Sequence, residues 1–212
     1  MKTSDLIAAL ATDAGPIRRA PVTRNLSLGV GLGMCASLVV LVFWLGVQNL
    51  SHAMGLGAFW MKAGYTLSLA IAGFLCVRHL ARPGGAPGLA PWGALAAFGV
   101  MLVLATFELV TARPEQVRAL WMGHTLPMCP LRILALAIPI YLGLAPALRR
   151  LAPTRLALTG AAAGLLAGGA GATVYGLFCN ESAATFVAAW YTVGIALCAG
   201  LGAMVGQRML RW

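Results

Sequence analysis

The sequence predicts an all-α polytopic membrane protein with six transmembrane helices and both termini in the cytoplasm. Three observations carry that fold class. Hydrophobic residues make up 60% of the 212 residues and charged residues only 9%, against about a quarter charged in a soluble domain. The apolar residues gather into six windows, each near the ~20 residues that cross a bilayer as a helix. The cations between the windows concentrate in alternate breaks, the pattern that the positive-inside rule produces.

The chain begins with residues 1–25, "MKTSDLIAALATDAGPIRRAPVTRN", read as a cytoplasmic segment ahead of the transmembrane domain of residues 26–212. Thr3 or Ser4 offers an N-cap, Asp5 sits in the first turn, and Leu6, Ile7 and Leu10 share one face before Gly15-Pro16 ends the helix. About ten residues do not hold a helix alone in water, so a partner or the membrane must order them. A helix lying on the inner leaflet and a helix docking into a partner's groove use the same apolar face.

The windows run from Leu26 to Val47, Phe59 to Val77, Ala90 to Val110, Pro130 to Leu148, Leu156 to Phe178 and Ala184 to Val205. The first is longer than the ~7–15 apolar residues of a secretory signal, so it is read as a retained span despite the cleavage-like Ser51-His52-Ala53. Lys2, Arg18, Arg19, Arg24, Arg78, Arg82, Arg149, Arg150, Arg155, Arg208 and Arg211 fall on one side of the resulting topology. Only Lys62, Arg113, Arg118 and Arg132 fall on the other, which places that side outside. The fifth window carries Gly160, Gly164, Gly168, Ala172 and Gly176, and the sixth Gly194, Cys198, Gly202 and Gly206. Small residues at four-residue spacing let membrane helices approach closely, so these two windows should form a tight hairpin.

The net charge of +10 does not point to nucleic acid, because nearly all the cations flank apolar windows, where they orient spans and meet lipid headgroups. A thiol oxidoreductase is the enzymatic alternative. It normally wants a Cys-x-x-Cys pair, and no two of the five cysteines are that close. A small membrane transporter is a second alternative. Pro139 interrupts the fourth window, but Glu108, Lys62 and Arg132 lie toward the outer ends, where they can pair or snorkel. No catalytic residue, nucleic acid or small-molecule substrate is expected.

Small-residue spacing also sorts the cysteines. Cys35 follows Ser27 and Gly31, Cys76 follows Gly64, Ser68 and Ala72, and Cys198 lies between Gly194 and Gly202. All three read as packing residues. Cys129 and Cys179 belong to no such stripe and fall at the outer boundary, at similar depth when counted along the fourth and fifth windows. Three readings of the pair stand open: a thiol redox couple, a metal pair completed by His124 or Glu181, and two inert boundary residues. A disulfide requires Cα atoms within about 7 Å. A metal ion at this pair is the one cofactor the residues leave open.

The motifs "DLIAAL", "RRAP", "FWMKAGYTLSLA", "RPG", "CPLRI", "APTRLALTGAAAGLLAG" and "CNESAATFVAAWYTVGIAL" follow one another from Asp5 to Trp212. With them the chain resembles the NrsF family of bacterial inner-membrane anti-sigma factors. The most specific elements are Cys129-Pro130 and the C-x-E-S of Cys179, Glu181 and Ser182. The resemblance implies a multi-pass inner-membrane protein that holds an extracytoplasmic-function (ECF) sigma factor inactive through cytoplasmic residues, for which Asp5, Leu6, Ile7 and Leu10 are the candidates. It also implies that Cys129 and Cys179 sense metal or oxidative stress, with His124, Pro130, Glu181 and Ser182 in support. The lipid bilayer is the other expected partner.

Overall fold

The structure, a computed structural model, describes residues 3–5, 12, 22–46, 53–82, 84–123, 126, 128–151 and 153–211. Among the described residues the fold is carried by the helices α1 Val22–Trp44, α2 Gly57–Leu80, α3 Ala90–Thr111, α4 Pro114–Met122, α5 Met128–Arg150, α6 Leu156–Tyr175 and α7 Ala184–Met209. Six of them are long and apolar enough to cross a membrane, and α4, nine residues long, is not. No strand occurs among the described residues. The windows read from sequence correspond to the six long helices, with ends moved by a few residues. Of the expected tail helix, Asp5 is helical and exposed, accepting a bond from Ser4 Oγ at 3.3 Å. Leu6, Ile7 and Leu10 lie outside the described residues.

The helix α6 forms the hub. It is the most buried of the six long helices, and its neighbours are α7, α2, α5 and, more lightly, α1. Glycine explains how one helix touches so many. Toward α7, a Cβ on Gly206 would sit 2.7 Å from the Gly160 Cα, and one on Gly202 would sit 2.9 Å from the Gly164 Cα. Toward α2, a Cβ on Gly169 would lie 2.7 Å from the Ala70 nitrogen. Backbones this close leave no room for side chains, so the α6–α7 hairpin is as tight as the four-residue spacing predicts. Tyr65 Oη also meets Thr192 Oγ1 at 2.6 Å and Thr173 Oγ1 donates to Thr66 Oγ1 at 2.8 Å, satisfying hydroxyls between helices.

A second close contact was not evident from the stripe through Ser27, Gly31 and Cys35. The buried face of α1 is instead Gly29, Gly33 and Ser37. A Cβ on Gly33 would lie 2.5 Å from the Ile140 Cα of α5, and Ser37 Oγ donates to the Leu136 carbonyl at 2.9 Å. Cys35 is exposed, two positions away from that face, so its reading as a packing residue does not hold. Cys76 and Cys198 are buried, and the Cys198 Cβ would lie 2.8 Å from a Cβ on Gly168.

The bundle has two chemically distinct ends. One holds Cys129 at the start of α5 and Cys179 after α6. The other holds Arg78, Arg149, Arg150, Arg155 and Arg208, where Arg149 Nε ties α5 to α7 by donating to the Met209 carbonyl at 2.8 Å.

Candidate functional site

The end of α6 shapes the cysteine site. After Tyr175 the chain winds through tight turns in which the Phe178 and Cys179 amides both donate to the Tyr175 carbonyl, at 3.0 and 3.1 Å. These bonds turn Cys179 back toward the bundle. Cys129 arrives from the first turn of α5, next to buried Pro130. Both thiols are free, both are fully buried at 0% exposure, and each lies within electrostatic reach of the other. The structure therefore brings together the two cysteines that the small-residue stripes left out.

Two tyrosines line the pair. The ring of Tyr175 lies 5.7 Å from that of Tyr191, and both side chains are fully buried. The Tyr175 hydroxyl interacts with Cys129 and Arg132, and the Tyr191 hydroxyl with Cys179. Among the described residues neither oxygen has a partner at hydrogen-bonding geometry. An unpaired buried hydroxyl costs about 1–3 kcal/mol. Two such hydroxyls beside two thiols make a small polar site inside an otherwise apolar end of the bundle. Tyr191 also closes a π-helical turn, Val187–Tyr191, within α7. Such a turn interrupts the regular register of a helix and recurs at functional positions.

The segment between α6 and α7 is held from two sides. Lys62 of α2, 5% exposed, donates from Nζ to the carbonyls of Cys179 and Glu181, both at 2.7 Å. Glu108 of α3 grips the other end of the segment. Its carboxylate accepts the Ala184 amide at 3.1 Å and both the amide and the hydroxyl of Thr185 at 2.7 Å. A carboxylate on the first amides of a helix satisfies orphan donors and complements the helix dipole. Lys62 and Glu108 thus address the segment between α6 and α7, mainly through its backbone, rather than pairing with each other or with Arg132 as their outer position suggested. The Arg132 guanidinium lies 5.2 Å over the Phe178 ring.

The helix α4 crosses the same region. Trp190 Nε1 of α7 donates to the Trp121 carbonyl at 2.9 Å. Gly123, with φ of 53°, ends α4 where a Cβ would come within 2.6 Å of the Phe186 ring and 3.0 Å of the Glu181 carboxyl carbon. Glu181 is half-buried here and Ser182 is exposed. His124, the next residue after Gly123, lies outside the described residues. Among the described residues no group of three or more His, Cys, Asp or Glu side chains is placed to hold a metal ion. The described site thus offers two thiols to a soft metal, short of the four ligands of a structural zinc centre.

Comparison with known proteins follows from the whole chain. A family profile described as NrsF, negative regulator of sigma F, matches residues 10–212. The chain is 42% identical over 218 residues to the anti-sigma-F factor NrsF of Caulobacter vibrioides. It is 37% identical over 217 residues to the probable anti-sigma-F factor NrsF of Azospira oryzae. Both alignments cover 100% of this chain and of the relative. No solved structure matches the chain.

Proposed function

The chain belongs to the NrsF family of negative regulators of sigma F, and from that membership we propose a two-ended switch in the bacterial inner membrane. In this reading the cytoplasmic face holds an ECF sigma factor inactive, and a change at Cys129 and Cys179 on the periplasmic face releases it. The role is regulatory, as the family is, and not enzymatic. The observation that carries the proposal is the held segment between α6 and α7, which has a thiol at its start and Lys62 and Glu108 gripping its backbone.

The input chemistry follows from the buried pair. Oxidation to a disulfide takes two electrons and two protons from the thiols to an oxidant and draws the sulfurs to about 2 Å. Coordination of a soft metal ion replaces the two thiol protons and also draws the sulfurs inward. Either event pulls on Cys179 while Lys62 and Glu108 hold the segment, so the load passes to the start of α7. The two states must differ in their interaction with the signal for it to move the equilibrium. Orientation rests on the distribution of arginine and lysine.

Two experiments test the ends separately. An impermeant maleimide applied to spheroplasts should label Ser182→Cys, an exposed position on the held segment, and leave Ala20→Cys unlabelled until the membrane is opened. The reverse pattern inverts the switch. At the output end, Leu6→Asp with Leu10→Asp should leave the protein in the membrane, abolish co-purification of the sigma factor and raise target transcription without stress. Intact repression in this double variant would move the main contact from the tail to the arginine-rich loops.

A further inference from the structure

Between α5 and α7 runs an open slot of about 300 Å³ whose floor is Gly164 and Ala167 of α6. Its walls are apolar, with Ile138 and Leu142 on one side and Leu201 and Val205 on the other. The tyrosine hydroxyl in the slot, that of Tyr141, is already satisfied by the Gly202 carbonyl at 3.1 Å. At the arginine end the slot is adjoined by two further hollows that share lining residues with it. One, of about 460 Å³, lies among Leu201, Val205, Arg149 and Arg208. The other, of about 320 Å³, lies among Leu142, Pro146, Arg149 and Arg150. Among the described residues no acidic one lines any of the three.

Arg149 stands between the two hollows. Its Nε is committed to the Met209 carbonyl, which fixes the plane of the guanidinium and leaves its terminal nitrogens for a bidentate partner such as a phosphate. From Arg149 to Leu134 at the far end of the slot is fifteen residues of helix, about 22 Å. That is half of the ~40–45 Å bilayer with its headgroup layers, the length of one lipid leaflet. We propose that this slot is a specific site for an anionic phospholipid, with an acyl chain between α5 and α7 and the phosphate on Arg149 and Arg208. Cations without a neighbouring acid favour an anionic headgroup over a zwitterionic one. An acidic peptide fits less well, because its backbone groups would go unsatisfied along the apolar slot. The site requires that the helices lie in a bilayer, and it stands whether or not the cysteine end senses stress.

The test uses the full-length protein, delipidated in detergent and then given phosphatidylglycerol or phosphatidylcholine of the same chains. Native mass spectrometry and thermal melting are the readouts. Phosphatidylglycerol should remain bound at activation energies that strip phosphatidylcholine and should raise the melting temperature. Arg149→Gln with Arg208→Gln should weaken its retention about tenfold, whereas Arg78→Gln with Arg82→Gln, changing arginines outside the slot, should not. Leu201→Trp, which fills the slot and leaves every charge in place, should also lower retention. Equal retention of the two lipids by the unaltered protein would overturn the proposal, even if the variants failed to fold. So would full competition by glycerol phosphate or an acidic peptide, since the site would then read charge alone. Loss of sigma-factor binding would leave all of these outcomes unchanged.

Discussion

Serine at Cys129 is expected to abolish the induction of target transcription by stress, serine at Cys179 to abolish it to the same degree, and the double variant to match either single. Residues that act as one unit are strongly non-additive, and these two thiols are buried together at one site. The other cysteines supply the control. Cys35→Ala should be silent because that side chain is exposed. Cys76→Ala and Cys198→Ala should keep the response, each with a stability loss of about 1 kcal/mol from the lost sulfur contact. Alkylation separates the two input chemistries. A redox pair becomes resistant to iodoacetamide after oxidant and sensitive again after reductant. A metal pair becomes resistant after metal and sensitive again after a chelator. Additive, unequal effects of the two serine variants would mean that the thiols act independently, and the shared site would be lost.

Lys62→Met is expected to raise target transcription without stress, about tenfold, and to speed alkylation of Cys179 by at least as much. The buried ammonium makes two short bonds to the carbonyls of Cys179 and Glu181. Hydrogen bonds to a charged group contribute about 1.5–3 kcal/mol each. Removing the ammonium also removes the cost of burying it, so the net bias is smaller than the sum, and about 1.4 kcal/mol suffices for a tenfold shift. Lys62→Arg keeps the charge and should fall between the two. Glu108→Gln keeps an acceptor for the first amides of α7 and should have the weaker effect. Unchanged alkylation of Cys179 in Lys62→Met would show that the lysine does not restrain the segment. The expected rise in transcription would then have no structural basis.

Much of this architecture was legible because membrane helices write their packing in small residues. Gly160, Gly164, Gly202 and Gly206 stand at four-residue intervals and meet as their spacing requires. The same rule misled at α1, where Gly29 and Gly31 offer two competing stripes and only contact with Gly143 and Ile140 of α5 selects the first. The helix α4 was hidden for a different reason. "PEQVRALWM" is too short and too polar to register as a span, although proline at its first position and the Gln116 side chain reaching back to the Arg113 amide at 3.3 Å are start signals. Cys129 and Cys179 could be paired by depth, but their burial depends on tertiary contacts that no local pattern encodes. Lys62 and Glu108 gave a usable signal, since a charge within an apolar helix is costly and invites a functional reading. Apart from the Thr185 hydroxyl on Glu108, their partners are backbone atoms, which carry no side-chain identity to search for. Tyr175 and Tyr191 belong to no small-residue stripe, and only the fold reveals that their hydroxyls are buried beside the thiols.

The glycine contact between α6 and α7 has a mechanical consequence. Two helices whose backbones touch cannot slide past or bend around each other without overlap, so the pair moves as one body. The second member of the pair is 26 residues long, about 39 Å at 1.5 Å per residue. Pivoting near its middle, a helix of that length delivers a displacement of about 1 Å at one tip as about 1 Å in the opposite sense at the other. The distant tip is not loose, because the Met209 carbonyl is fastened to Arg149 of α5. A stroke that small is enough to break a hydrogen bond of 2.8 Å, given that such bonds weaken steeply with misalignment. The hairpin is thus built as a lever whose small travel suffices to release the bond between Arg149 and the Met209 carbonyl at its far end.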